Sequence, residues 1–247
     1  MSSKEKEFWN ACRDGKLEKV KELSLQIDDI NWGNPNVFDY TGLQISCALG
    51  NEEIVEYLIS HPKINVNKED KNGATPLFWA CSAGKEEIVK ILLKDERVNV
   101  NKEDKDGSTP LFIACYNGKE EIVKILFASG REIDTTKKTF PGNNAWNNTT
   151  AAEIARKEHD YYDNGEWKKG SFPQIAKLVD EYAKNPMEII LRLRKEMSKY
   201  LLIVQISIQQ NHLQKLNNSN QKNRNNRNPF GKILWNPFVM VLPIRSN

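Results

Sequence analysis

The chain has little of what chemistry usually requires. Its three histidines, His61, His159 and His212, are scattered, and none stands beside a plausible nucleophile or metal-binding set. It has no Cys-x-x-Cys pair and no glycine-rich phosphate loop. Neither catalysis, a cofactor nor a bound metal is therefore expected. Long apolar runs are missing as well. The longest, Tyr200 to Ile208, is broken by Gln205 and Ser207 and falls far short of the roughly 20 residues of a membrane span. The first residues, MSSKEKEF, are polar, with neither an apolar core nor a cleavage site. No secretory signal is read there, so the default compartment is the cytoplasm, with the nucleus as the other option.

Cysteine is scarce, and its placement is informative. Cys12, Cys47, Cys81 and Cys115 are spaced 35, 34 and 34 residues apart, in step with Gly15, Gly50, Gly84 and Gly118. One residue type at one period marks one repeated position. Equivalent positions of stacked helices lie about 8 to 10 Å apart, beyond the roughly 7 Å Cα limit of a disulfide. The four are expected as small buried thiols.

What is abundant is repetition. Thr75-Pro76-Leu77-Phe78 returns as Thr109-Pro110-Leu111-Phe112, and Gly84-Lys85-Glu86-Glu87-Ile88-Val89-Lys90 returns as Gly118-Lys119-Glu120-Glu121-Ile122-Val123-Lys124. A period near 34 residues indicates stacked units, each too small to bury its apolar side alone. Within a unit, Asp70-Lys71-Asn72-Gly73 and Asp104-Lys105-Asp106-Gly107 suit a protruding type I turn. Thr75 followed by Pro76 starts a short helix, with Leu77, Ala80 and Cys81 on one face and Gly84 at its end. A second helix carries Glu86 and Glu87 in its first turn, a Glu86 to Lys90 pair, and the core face Ile88, Val89, Leu92 and Leu93. Val98 to Asn101 alternates with period two and predicts an extended return.

TPLFWAC and TPLFIAC, each followed by GKEEIVKIL and spaced 34 residues apart, resemble the ankyrin repeat, whose signature is T-P-L-H-x-A at about 33 residues. The fold class this implies is mainly α: an ankyrin-repeat α-solenoid of helix-turn-helix units with protruding β-turn fingers. Units are expected at about 4–35, 36–69, 70–103, 104–134 and 135–185, followed by a helical extension over 186–216 and a disordered basic, asparagine-rich tail over 217–247. The first unit, with Phe8, Ala11, Cys12, Leu17, Val20 and Leu23, reads as a polar-faced cap without a turn. In the second, Gly42 replaces proline and predicts a weaker helix start. Phe78 and Phe112 replace the family's bracing histidine and predict an apolar brace.

The fifth unit is longer than the rest. Thr150 to Arg156 and Ile175 to Tyr182 read as its two helices, and Asp160 to Pro173 between them is an insertion rich in aromatics, including Tyr161, Tyr162, Trp167 and Phe172. These either bind a partner or fold back to cap the stack. Residues 187–247 carry 10 Lys or Arg against 2 Asp or Glu. This tail is either a nucleic-acid or anionic-surface binder, a spacer, or a misassigned gene end.

The resemblance further implies a monomeric module that binds another protein in a concave groove lined by turn tips and first helices. Carried over by position, the groove residues are Phe38, Tyr40 and Leu49 in the second unit, with Val37 and Ala48. In the third they are Lys71, Asn72, Ala74 and Ser82, with Ala83. In the fourth they are Lys105, Asp106, Ser108, Tyr116 and Asn117. Arg13, Asp14, Trp146, Lys157 and Glu158 extend the line, and Tyr161, Tyr162 and Trp167 add to it from the insertion. Phe38, Tyr40, Tyr116 and Trp146 are the expected anchors, since aromatics dominate binding hot spots.

Overall fold

A computed structural model describes residues 3–141, 147–163 and 166–198. The helices fall into successive pairs: α1 (Ser3–Arg13) with α2 (Leu17–Ser24), α3 (Gly42–Leu49) with α4 (Glu52–Ser60), α5 (Pro76–Ser82) with α6 (Glu86–Lys94), α7 (Pro110–Tyr116) with α8 (Glu120–Ala128), and α9 (Ala151–Arg156) with α10 (Pro173–Lys184). The first members touch in the order α1, α3, α5, α7, α9, and the second members in the order α2, α4, α6, α8, α10. This is a two-row solenoid. A further helix, α11, covers 186–198. Its Ile189, Ile190 and Leu193 are buried, and Arg194 donates to the carbonyls of Ala128 and Ser129 at the end of α8.

The repeat is visible in the core. Leu43, Leu77 and Leu111 occupy one buried position, Ile54, Ile88 and Ile122 a second, and Val55, Val89 and Val123 a third. All four cysteines are buried and unbridged, and burial pushes the Cys12 thiol up to about 12. Replacing any of the three leucines by alanine would cost about 2 to 5 kcal/mol.

The helix starts form as their residues dictate. Thr75 and Thr109 accept the amides of Phe78 and Phe112 at 3.3 and 3.1 Å, and proline fills the first helical position, where no amide is needed. The expectation of a weak start at Gly42 is not met. Thr41 and Gln44 form a reciprocal capping box, and a Cβ at Gly42 would meet the Phe8 ring at 2.8 Å and Cys12 Sγ at 2.9 Å. Glycine stands there because the first unit packs against that backbone. Gln44 also supplies a polar brace, donating to Lys68 and Ala74 carbonyls at 2.9 and 2.8 Å. Phe78 and Phe112, at the same repeat position, are buried.

Two further expectations change. Lys90 pairs with Glu87 at 2.5 Å, three residues away, rather than with Glu86. The period-two segment 98–101 forms turns and bends, not a strand. Its asparagines explain this, because Asn99 Oδ1 accepts the Asn101 amide at 3.0 Å and so closes a local turn. The same residue type links the units. Asn31 Oδ1 accepts the Asn65 amide, Asn67 Oδ1 that of Asn99, and Asn101 Oδ1 that of Asp134. Each of these side-chain amides also donates onward, to Lys63, Arg97 and Glu132 carbonyls.

The units line up so that each finger is bonded to the next. The Lys71 amide donates to the Phe38 carbonyl at 2.8 Å, Lys105 to Asn72 at 2.9 Å, and Phe140 to Asp106 at 2.8 Å. The second finger is built from β1 (Gly33–Asn34) and β2 (Tyr40–Thr41), paired antiparallel. The third and fourth are tight turns closed from Gly73 to Asp70 and from Gly107 to Asp104.

Candidate functional site

The expected groove residues separate into two aromatic groups. In the first, Phe38 and Tyr40 stand 6.2 Å apart, and Tyr40 lies 4.8 Å from Trp79. Phe38 is 59% exposed and, with Asp39, is held at positive φ, 49° and 58°. Such a conformation is unfavourable for a bulky side chain. Hydrogen bonds around it over-determine the loop: Val37 and Asp39 amides donate to the Asn34 carbonyl, and Tyr40 to Val37. From the neighbouring units, Trp9 donates its indole N–H to the Tyr40 carbonyl at 2.7 Å, and Lys71 Nζ sits 3.6 Å from Asp39. Burial, aided by Asp70, raises the Tyr40 hydroxyl well above the usual phenol range.

Trp79 was not among the expected site residues. It donates to Asp70 Oδ2 at 2.8 Å, tying helix to finger, while its ring faces Tyr40. The signal was present in the sequence: Trp79 fills the variable position of T-P-L-F-x-A, where the next unit has Ile113.

The second group surrounds Tyr116. Its ring stacks on His159 at 4.6 Å, its hydroxyl donates to the Asp160 carbonyl at 2.5 Å, and its own carbonyl lies 2.7 Å from His159 Nε2. His159 Nδ1 lies 2.8 Å from the Lys157 carbonyl. Phe172 and Tyr161 complete the cluster, 5.0 Å apart. The insertion contains an antiparallel hairpin of β3 (His159–Asp163) and β4 (Glu166–Gly170), with Tyr162 opposite Trp167 in register. Lys119 Nζ bonds Asp163 Oδ1 at 2.5 Å, and Lys168 Nζ bonds Oδ2 at 2.7 Å. These two lysines hold the Asp163 carboxyl down at about 2.

The remaining expected residues are dispersed along the stack. Leu49 is exposed, Lys71, Asn72, Lys105 and Asp106 are exposed on the fingers, and Ser82 is half-buried. Ala74, Ser108 and Asn117 are buried, so their side chains offer no surface. Their bonds explain why: the Ala74 and Ser108 amides close the turns on Asp70 and Asp104, and the Asn117 side-chain amide donates back to Ser82. Trp146 lies outside the described residues, as do residues 199–247, on which the expected binding role of the basic tail falls.

Among the described residues, no cluster of His, Cys, Asp and Glu could hold a metal ion, and no helix is long and apolar enough to cross a membrane. The paired helices, bonded fingers and the threonine caps of α3, α5, α7 and α9, first helices of their pairs and here termed inner, with their partners termed outer, define a class of repeat protein. The model of ankyrin repeats (3 copies) matches residues 8–104 and 63–139, more than half of the chain, which belongs to that family. Among curated proteins the chain is similar to putative glutaminase 2 of Caenorhabditis elegans, 32% identical over 69 residues, or 28% of this chain. It spans 11% of that relative's length. Ankyrin repeats generally mediate protein–protein interactions.

Proposed function

We propose that the chain is a protein-interaction module whose partner lies against the fingers and inner helices of the second and third units. Phe38, Tyr40 and Trp79 are its anchors, with Leu49, Lys71, Asn72, Ser82, Lys105 and Asp106 around them. The observation that carries this reading is Phe38: an aromatic ring exposed to solvent on a loop in an unfavourable backbone conformation. Burial of an apolar ring stabilises a fold and exposure does not, so folding alone gives no reason to keep phenylalanine there. Strained exposed residues concentrate at binding sites. Rigid aromatics also supply contact area at low entropic cost and dominate hot spots.

The test is photo-crosslinking from a benzophenone amino acid at position 38, with Glu87 on the outer helix α6 as control position. Partner recovery is expected from position 38 and not from 87. Tyr40→Ala in the same chain should weaken capture about tenfold or more, the usual loss for a hot-spot truncation. Equal recovery from both positions, unaffected by Tyr40→Ala, would sink the proposal.

A further inference from the structure

The hairpin is an addition to the solenoid that leaves its register unchanged. In the third and fourth units the residue before the second helix donates back to an inner-helix alanine: Lys85 to Ala80 and Lys119 to Ala114. Phe172 does the same to Ala155. Phe172 comes 17 positions after Ala155, where Lys119 comes five after Ala114. The side chains follow the same rule. Lys85 lies over Gly50, Lys119 over Gly84, and the Phe172 ring over Gly118. The stack therefore closes on the fifth unit without help from the extra residues.

What the extra residues do is cover the fourth unit. His159, Tyr161 and Asp163 share one face of β3, because alternate strand residues point the same way. That face supplies a ring stacked on Tyr116 and a carboxylate on Lys119, and between them the Asp160 carbonyl accepts the Tyr116 hydroxyl. The acceptor is main chain, which any extended segment could provide. Isolated two-stranded hairpins are marginal in water, and Lys119 and Asp163 keep 19% and 20% of their side chains exposed. A competitor could displace such a segment.

We propose that Tyr116 and Lys119 form a docking surface for an extended protein segment carrying a ring and, four residues on, a carboxylate on the same face. The chain's own β3 occupies that surface in competition. This rests on the protein-interaction reading above and adds the chemistry of one partner segment. Because β3 is tethered, its effective concentration is about millimolar, and a free segment must overcome that.

The probe is a fluorescein-labelled peptide copying residues 157–163. Full-length Asp163→Ala loses the carboxylate that holds β3 down but keeps Tyr116 and Lys119. It should bind the peptide at least about tenfold more tightly than the unaltered chain, the scale of one charge-assisted contact. Adding Lys119→Ala should abolish that gain, as should replacing the peptide's last Asp by Asn. A second chain, with residues 156–171 replaced by the four residues 115–118 of the fourth unit, removes the competitor altogether and should bind the peptide whenever its circular dichroism matches the parent. A folded chain of this kind that ignores the peptide overturns the proposal, and so does binding by Asp163→Ala that Lys119→Ala leaves intact. Crosslinking at position 38 is read independently, so either proposal can fail alone.

Discussion

The indole N–H of Trp79 donates to Asp70 Oδ2 at 2.8 Å, joining the inner helix of the third unit to its finger. Asp70 is buried and also accepts the amides of Asn72 and Ala74 through Oδ1. Trp79→Phe keeps a ring beside Tyr40 but strips one oxygen of its donor. Loss of a hydrogen bond to a charged, buried acceptor should cost about 1.5 to 3 kcal/mol. Urea unfolding should show a lower midpoint with an unchanged slope, and an unchanged midpoint would mean that water replaces the indole.

Asp104 is the same residue one unit later, without the tryptophan. It accepts the Asp106 and Ser108 amides, and burial, which outweighs those bonds, raises its carboxyl to about 6. The unfolded value is about 3.9, so the folded chain binds the proton more tightly and this site adds stability as pH falls from about 6 towards 4. Asp104→Asn keeps an acceptor oxygen without the charge. It should melt higher than the parent at pH 7.5, and the gap should close near pH 4.5. A constant gap across that range would show that charge is not the cause.

Gly42→Ala separates two accounts of the second unit. By propensity alone, alanine strengthens a helix by about 1 kcal/mol over glycine. Contact with Phe8 and Cys12 predicts the reverse, because overpacking a close approach costs about 1 to 3 kcal/mol. The melting temperature should therefore fall. A rise would mean the first unit yields easily.

That contrast marks where the sequence could be read. The core positions, the threonine caps and the helix pairs follow from local pattern, since each is repeated at a fixed period and its physics lies within a few residues. Gly42 was misread because its reason is Phe8, some thirty residues away. The asparagine links from Asn31 to Asn65, from Asn67 to Asn99 and from Asn101 to Asp134 were missed because a period-two pattern describes side-chain polarity and not hydrogen-bond reach. The hairpin had a usable signal, Asn164-Gly165 between aromatic segments, the dipeptide favoured at tight β-turns. Tyr116 was placed among the groove residues by its repeat position alone, and nothing local announced that His159 would stack on it.

Phe38 offers the sharpest separation of folding from binding. Its φ of 49° is one that asparagine adopts readily, and its carbonyl, not its ring, bonds Lys71. Phe38→Asn should therefore keep the finger-to-finger bond while relieving about 1 kcal/mol or more of backbone strain. The chain should melt at the same temperature or higher. Binding should move the other way, because the exposed ring is gone, and a purified partner identified by crosslinking should be held about tenfold or more weakly in calorimetry. A variant both less stable and equally competent would assign the ring to the fold and remove it from the binding surface.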